Sequence, residues 1–278
     1  MSVHRDPRRA RSAPRSEFLM RVLITFAVPA EFAAWRRRHR FVRLPAMPVG
    51  LEMARCPIYK KATGETEILV ALTGIGAVRA RRAARYALQS SPDFCISSGL
   101  AGAVKEIYNR GDVLVAAQVA ETRGKNVVRC DPALVERAAG CGARLVERFL
   151  TVPGVVTSSA EKRAFTAQGD AVEMESAGVL AAAIAASVPA VAIRVISDDS
   201  AQDLPVDFNR VLNAKGKVRP VRLLSSIAAK PARLRGLLQL AGDSRKASAT
   251  LAGFLDRYIA ALLEQGNAHE ALAGAARA

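Results

Sequence analysis

The sequence predicts an α/β fold of three layers, with helices on both faces of a central mixed sheet. Three observations carry that expectation. Short apolar runs such as residues 21–27 (RVLITFA) and 191–196 (VAIRVI) have the length and β-branching of buried strands. Alanine-rich segments of helical length alternate with them. A chain of 278 residues can bury one substantial core, and no internal repeat suggests an array.

Residues 1–19 are basic, contain Pro and Ser, lack an apolar period and are expected to be a disordered tail. Met20, directly ahead of the first strand, is a candidate alternative start. After the strand at 21–27, Pro29 opens a helix over 30–38, and Glu31 falls in its first turn. Residues 51–59 and 67–72 read as strands. Thr73-Gly74-Ile75-Gly76 is a tight turn into a helix over 77–89. A short buried strand at 94–97 leads to a second glycine-rich turn, Ser98-Gly99-Leu100-Ala101-Gly102. A strand at 112–120, a helix at 132–148, a strand at 152–157 and a helix at 160–167 follow. Residues 172–174 end a strand, 176–186 form a helix and 189–196 are the last core strand. Past a loop at 204–208, helical segments from Pro220 are expected to break at Pro231 and Gly242. A last helix lies near 248–263, with a frayed tail from Gly266. This organisation gives a tail (1–19), a catalytic domain (20–208) and a basic helical C-terminal extension (209–278).

Composition narrows the function classes. No apolar segment follows the Arg-rich N-terminus, and no run reaches transmembrane length, so neither a secretory signal nor a membrane span is expected. The four cysteines lie far apart without a CxxC pair, which suits a reducing, cytoplasmic compartment and no disulfide framework. Three scattered histidines argue against a zinc site or a His-based triad, and no metal or cofactor is expected. The net charge of +16 collects at the two ends and in helical clusters, Arg36-Arg37-Arg38 and residues 79–85. Solvated helix faces or an anionic partner both account for it. With 5% aromatic residues and no basic–aromatic interleaving, stacking on single-stranded nucleic acid is disfavoured, and no specific nucleic-acid partner is expected.

The chemistry gathers at strand ends, where α/β folds bind ligands. Ser197-Asp198 ends the last apolar strand, which fixes the direction of Asp198 better than that of Asp199. Glu175 follows Met174 at the start of an Ala-rich helix. It reads either as a helix-start acid or as a ligand contact. Glu173, one residue from Met174, points to the opposite face of a strand from it, and the two acids are expected to do the same job only if the chain bends between them. Glu31 is either a favourable first-turn acid or a third member of the group. The turns holding Gly74, Gly76, Gly99 and Gly102 either serve the fold alone or bring backbone N–H groups close to an oxygen ligand.

Taken together, the spacing VEMES … PAVAIRVISD resembles the purine nucleoside phosphorylase / uridine phosphorylase superfamily, in particular the 5′-methylthioadenosine/S-adenosylhomocysteine nucleosidases, over roughly residues 21–208. The resemblance implies the phosphorylase/hydrolase-like form of the predicted fold and a purine nucleoside as substrate. The family's VEMEA turn places its ribose-binding glutamate at Glu175, beside Met174 and Glu173. Its RxISD strand end places the acid that protonates the purine at Asp198, with Arg194 and Ser197 as neighbours. Its SGIG turn falls on Thr73, Gly74, Ile75 and Gly76, and its TGSAGG turn on Ser98 to Ala103, which includes Gly99, Ala101 and Gly102. The nucleosidase glutamate after the first strand falls on Glu31, with the role of orienting or deprotonating water. Arg194 then positions water or the carboxylates.

Departures from the family pattern bear on the reaction. Hexameric phosphorylases carry a GDPxR-like turn after the first strand. Here it reads Ala27-Val28-Pro29-Ala30-Glu31, and a second phosphate-binding arginine is replaced by Ser97. A glutamate in place of cations suits hydrolysis. An aromatic residue that packs near the purine in the nucleosidases is replaced near Glu161-Lys162. The helices after Phe208 resemble the C-terminal region of hopanoid-associated phosphorylases, which act on adenosyl-hopane lipids. Three functions follow as expectations: a nucleosidase using water; a phosphate-dependent phosphorylase, with Thr73, Arg79 or Arg194 as anion ligands and basic helices against anionic lipid at the inner membrane surface; or a nucleoside-binding protein without catalysis. A homodimer is implied by the resemblance alone.

Overall fold

In the computed structural model, residues 20–45, 56–64, 66–122, 126–211 and 219–275 are described. β1 (Met20–Phe26) is almost wholly buried, as a strand covered on both faces requires. It feeds α1 (Pro29–Arg38), which carries Pro at its start and three arginines in its last turn, where positive charge complements the helix dipole. β2 (Val42–Arg43), β3 (Ile58–Thr63) and β4 (Thr66–Leu72) pair antiparallel in succession, and β4 lies parallel beside β1. α2 (Ala77–Ala87) buries Ala80, Ala83, Ala84 and Ala87 and leaves Arg82 and Arg85 in solvent. There follow β5 (Phe94–Ala103), β6 (Val113–Glu121), β7 (Val127–Arg129) and α3 (Pro132–Gly140). The side chain of Asp131 caps α3 by accepting the Leu134 N–H at 3.0 Å. Next come β8 (Arg144–Thr151), α4 (Ser159–Ala164), β9 (Ala171–Glu173), α5 (Ser176–Ala185) and β10 (Ala190–Asp198). α6 (Phe208–Val211), α7 (Pro220–Ala229) and α8 (Ala232–Ala275) complete the order.

The sheet is mixed and runs β10-β6-β8-β9-β5-β1-β4-β3-β2. β10 pairs with both β6 and β5, so β5, β9, β8, β6 and β10 form a closed ring. The parallel register of β10 on β5 brings Asp198 level with Gly102, after an irregularity beyond Ile196. The sheet lies between two helical layers. α1 and α8 pack on each other and on β5 and β10, while α2 and α5 pack on each other over β4, β5 and β10. Among the described residues no helix is long and apolar enough to cross a membrane.

Several expectations are corrected. The helix expected over 132–148 stops at Gly140. Gly142, at φ +95°, turns the chain into β8, and residues 152–157, expected as a strand, are irregular. β8 (RLVERFLT) escapes a strand reading because one end is solvated and carries Arg144 and Glu147, while Val146 and Phe149–Thr151 are buried. The glycine-rich stretch 98–102 is not a turn: β5 continues through it to Ala103. β7 was not expected. The strand expected over 51–59 falls partly outside the described residues, and β3 begins at Ile58. The break expected at Gly242 is absent, and α8 continues past Gly266 to Ala275. The segment expected as a separate extension also joins the main core, since Leu251, Phe254, Leu255 and Tyr258 of α8 are fully buried in it. The tail at 1–19 lies outside the described residues.

Candidate active site

Strand ends set the positions of the acids. β1 stops at Phe26, and the next turn starts α1 two residues before Glu31. Glu31 therefore folds back over its own helix start. Its Oε2 accepts the N–H groups of Ala27 (2.9 Å) and Val28 (3.2 Å), and its Oε1 accepts that of Leu100 (3.0 Å) on β5. Gly99 makes room for it: at φ +152°, a Cβ there would lie 2.8 Å from Oε1. Burial pushes the Glu31 carboxyl above the usual range, against the Leu100, Val28 and Ala27 bonds and the charge of Arg194.

The chain does bend between the two acids of VEMES. Glu173 ends β9 and turns inward. Its Oε2 accepts the backbone N–H groups of Glu175 (2.9 Å) and Ser176 (2.7 Å) and a guanidinium N–H of Arg194 (2.7 Å), while the Thr151 hydroxyl donates to Oε1. Those bonds hold the first turn of α5, where Glu175 stands as the N-cap residue. Glu175 Oε1 accepts the Gly76 N–H at 2.9 Å and ties α5 to the start of α2. Burial, then the neighbouring Glu173 and Glu31, push the Glu175 carboxyl up to about 8.

Asp198, at the end of β10, receives the Ser197 hydroxyl on Oδ1 (2.7 Å) and Lys162 Nζ on Oδ2 (2.5 Å). Asp199 faces the other way and pairs with Arg110 on the surface at 2.8 Å.

Glu31, Glu175 and Asp198 line one cleft of about 200 Å³, together with Glu173, Met174, Ser197, Ala101, Gly102 and the apolar side chains of Ile75, Leu100, Val152, Val155, Val156, Val172 and Leu204. An adjoining cleft of about 470 Å³ shares Ile75 and Val152 and adds Gly76, Val78, Arg79, Arg82 and Pro153 among others.

Five sequence-derived candidates do not line the first cleft. Arg194 is 1% exposed, and its two terminal guanidinium nitrogens bond Ser97, the Ile193 carbonyl and Glu173, so it acts on the site through its field and through Glu173. Thr73 gives its hydroxyl to the Phe26 and Gly74 carbonyls. Gly74 donates its N–H to the Ala27 carbonyl, which joins the ends of β4 and β1. Gly99 sits behind Glu31. Gly76 borders the adjoining cleft, with its N–H engaged by Glu175. Ser97 is buried and shares a hydrogen bond with Ser176 (3.2 Å).

The sequence did not single out Lys162 as the partner of Asp198. The only local signal was the capping box Ser158-x-x-Glu161, which fixes the start of α4 and so the direction of the next side chain. Glu161 itself turns back to cap α4, accepting the Thr157 and Ser158 N–H groups.

Comparison with known proteins gives the family and the fold. A family profile described as "Phosphorylase superfamily" matches residues 21–227. A 5′-methylthioadenosine/S-adenosylhomocysteine nucleosidase of Glaesserella parasuis is 28% identical over 191 residues, 60% of this chain and 83% of that protein. The enzyme of that description from Geobacillus kaustophilus is 27% identical, over 63% and 86%. Among solved structures, the Helicobacter pylori 5′-methylthioadenosine/S-adenosylhomocysteine nucleosidase with butyl-thio-DADMe-Immucillin-A superposes with a TM-score of 0.66 at 19% identity, over 87% of this chain and 99% of that one. A futalosine hydrolase mutant of Helicobacter pylori gives 0.63 at 18%, over 86% and 98%.

Proposed function

This chain belongs to the phosphorylase superfamily, and we propose that it hydrolyses the N-ribosidic bond of a purine nucleoside, of adenosine type with or without a 5′ substituent. One observation carries the choice of water over phosphate. The carboxylate of Glu31 occupies the backbone N–H groups of Ala27, Val28 and Leu100, the donors that an anion at the ends of β1 and β5 would need. A second anion there meets a carboxylate instead of a cation.

In this reading the ribose lies against Glu175 and Met174, and the base against Asp198 and Ser197. As the C1′–N9 bond breaks, the sugar becomes cationic and the purine takes the electron pair. Glu175 hydrogen-bonds the 2′ and 3′ hydroxyls and so fixes the sugar against the turn that joins β9 to α5. Asp198 passes a proton to the leaving purine. Glu31 takes the proton of the attacking water, and burial raises its carboxyl above the usual range, which makes it a stronger base than an exposed glutamate. Arg194 is not a contact to substrate in this scheme: it holds Glu173, which holds the turn bearing Glu175.

A second reading draws on the adjoining cleft, where Arg79 and Arg82 lie beside Ile75, Val78, Val152 and Pro153. A cationic and apolar wall of that kind suits phosphate-dependent cleavage of an adenosyl-hopane-like lipid nucleoside. The purified chain, given adenosine, methylthioadenosine, S-adenosylhomocysteine and inosine with and without phosphate, separates the two. Base release in phosphate-free buffer is expected; release that appears only with phosphate overturns hydrolysis.

A further inference from the structure

We propose that Lys162 is a positioning residue for Asp198 that also stores the proton Asp198 passes to the departing base. The inference rests on the nucleoside-cleaving reading above. With Glu161 folded back over the start of α4, the next side chain is directed into the protein, and Lys162 is fully buried. Its Nζ meets three acceptors: Asp198 Oδ2 at 2.5 Å, the Asp199 carbonyl at 2.6 Å and the Gln202 carbonyl at 3.2 Å. An ammonium has one N–H for each of the three acceptors, and in this proposal the pair is an ammonium against a carboxylate. A buried ion pair is weak as a source of stability. What sets this one apart is its position at the wall of the cleft.

The two oxygens of Asp198 are differently placed. Oδ1 takes the Ser197 hydroxyl. Oδ2 faces Lys162 and also Gly102, a lining residue of the cleft, where a Cβ would come within 2.9 Å of it. Lys162 does not line the cleft. The route from Nζ to a bound base therefore runs through Oδ2.

The step balances. As the electron pair of the C1′–N9 bond moves onto the purine, a proton leaves Nζ for Oδ2, and Asp198 delivers a proton to a ring nitrogen of the base. The base departs neutral, Asp198 is again a carboxylate and Lys162 is a neutral amine. Water forms the new C1′–O bond and gives its proton to Glu31. Exchange with solvent returns one proton to Lys162 and removes one from Glu31.

The test compares two leaving groups on the full-length chain: adenosine, whose base needs a proton, and 4-nitrophenyl β-ribofuranoside, whose phenolate does not. Lys162→Arg keeps a charge and donors but does not release a proton, and Lys162→Met removes both. In each variant kcat/KM for adenosine is expected to fall about 100-fold or more, carried by kcat, and nitrophenyl riboside hydrolysis to fall by at least about tenfold less. An Arg variant that cleaves adenosine at the wild-type rate shows that charge alone suffices and overturns the relay. Equal loss on both substrates in both variants reduces Lys162 to a structural prop and overturns it as well. A wild-type chain that releases base from no nucleoside refutes the nucleoside reading and the relay together; base release by wild type without a split in the variants refutes the relay alone.

Discussion

Replacing Arg194 by Met tests the frame behind the acids. The guanidinium is 1% exposed and bonds the Ser97 carbonyl at 2.8 Å, the Ile193 carbonyl at 3.0 Å, Ser97 Oγ at 3.3 Å and Glu173 at 2.7 Å. Methionine fills part of the volume but leaves Glu173 as a buried charge without its cation. Breaking one side of such a pair costs about 3–5 kcal/mol, a large share of the 5–15 kcal/mol typical of a folded protein. Urea denaturation at fixed pH measures it. Glu173→Gln, added to Arg194→Met, removes the orphaned charge while its amide oxygen still accepts the Glu175 and Ser176 N–H groups. The double variant should therefore recover about 1–2 kcal/mol relative to the single one. The charge of Arg194 also holds down the carboxyls of Glu31 and Glu175. Without it both shift further up, and the limb on which activity rises with pH moves to higher pH. A single variant within about 1 kcal/mol of wild type, or a double variant no more stable than the single, refutes the role given to the pair.

Glu175 predicts a pH dependence of stability in the ligand-free protein. Its carboxyl is raised from the ordinary range to about 8, so the folded chain holds a proton that the unfolded chain releases. That contribution is complete below about pH 4.5 and is lost as pH rises toward about 8, with a slope of at most about 1.4 kcal/mol per pH unit. Glu175→Gln should flatten the slope in urea melts recorded across that window, and an unchanged slope would assign it to other groups. Gly99→Ala drives a methyl to 2.8 Å from Glu31 Oε1 and displaces the proposed base; base release should fall more than about tenfold, and wild-type turnover would clear Gly99 of any part. Leu255→Ala, in the fully buried stretch of α8, should cost about 2–5 kcal/mol by thermal or urea unfolding. A loss below about 0.5 kcal/mol, the size of a surface change, would restore the picture of an independent C-terminal extension.

How far the site could be read beforehand follows from what fixes each residue. Asp198 was legible because an apolar run locates its strand end. Glu175 and above all Glu31 had ambiguous signals as helix-start acids and were singled out by their coincidence with Asp198 and by the family resemblance. Glu173 and Arg194 were legible as residues but not as partners: their pairing joins β9 to β10 across the ring, a contact with no local signature. Lys162 was illegible for a related reason. Its burial depends on carbonyls of the 199–202 loop that arrive only when the chain folds back. In the fold, the central apolar strands were found, whereas β8 was lost because its charged outer end breaks the alternation that marks a half-buried strand. The glycines of β5 look like turn residues in isolation; pairing with β10 keeps them extended. The final helix was set apart on its arginines and on Gly242, although Leu251, Phe254, Leu255 and Tyr258 share one buried face.

Gly178 fixes where the cleft can yield. A Cβ at that position would stand 2.1 Å from the Ala77 carbonyl oxygen, so α5 rests directly on the start of α2, and the Glu175–Gly76 bond pins the two together beside it. That floor has no slack, and tilting either helix drags the other. The opposite rim is built differently: irregular backbone at 152–157 and 199–207 meets through the Leu204 N–H to Thr157 carbonyl bond, the Ser159 N–H to Asp203 carboxylate bond and the Lys162 ammonium. The rim therefore hangs on three single contacts where the floor is one continuous helix-on-helix packing.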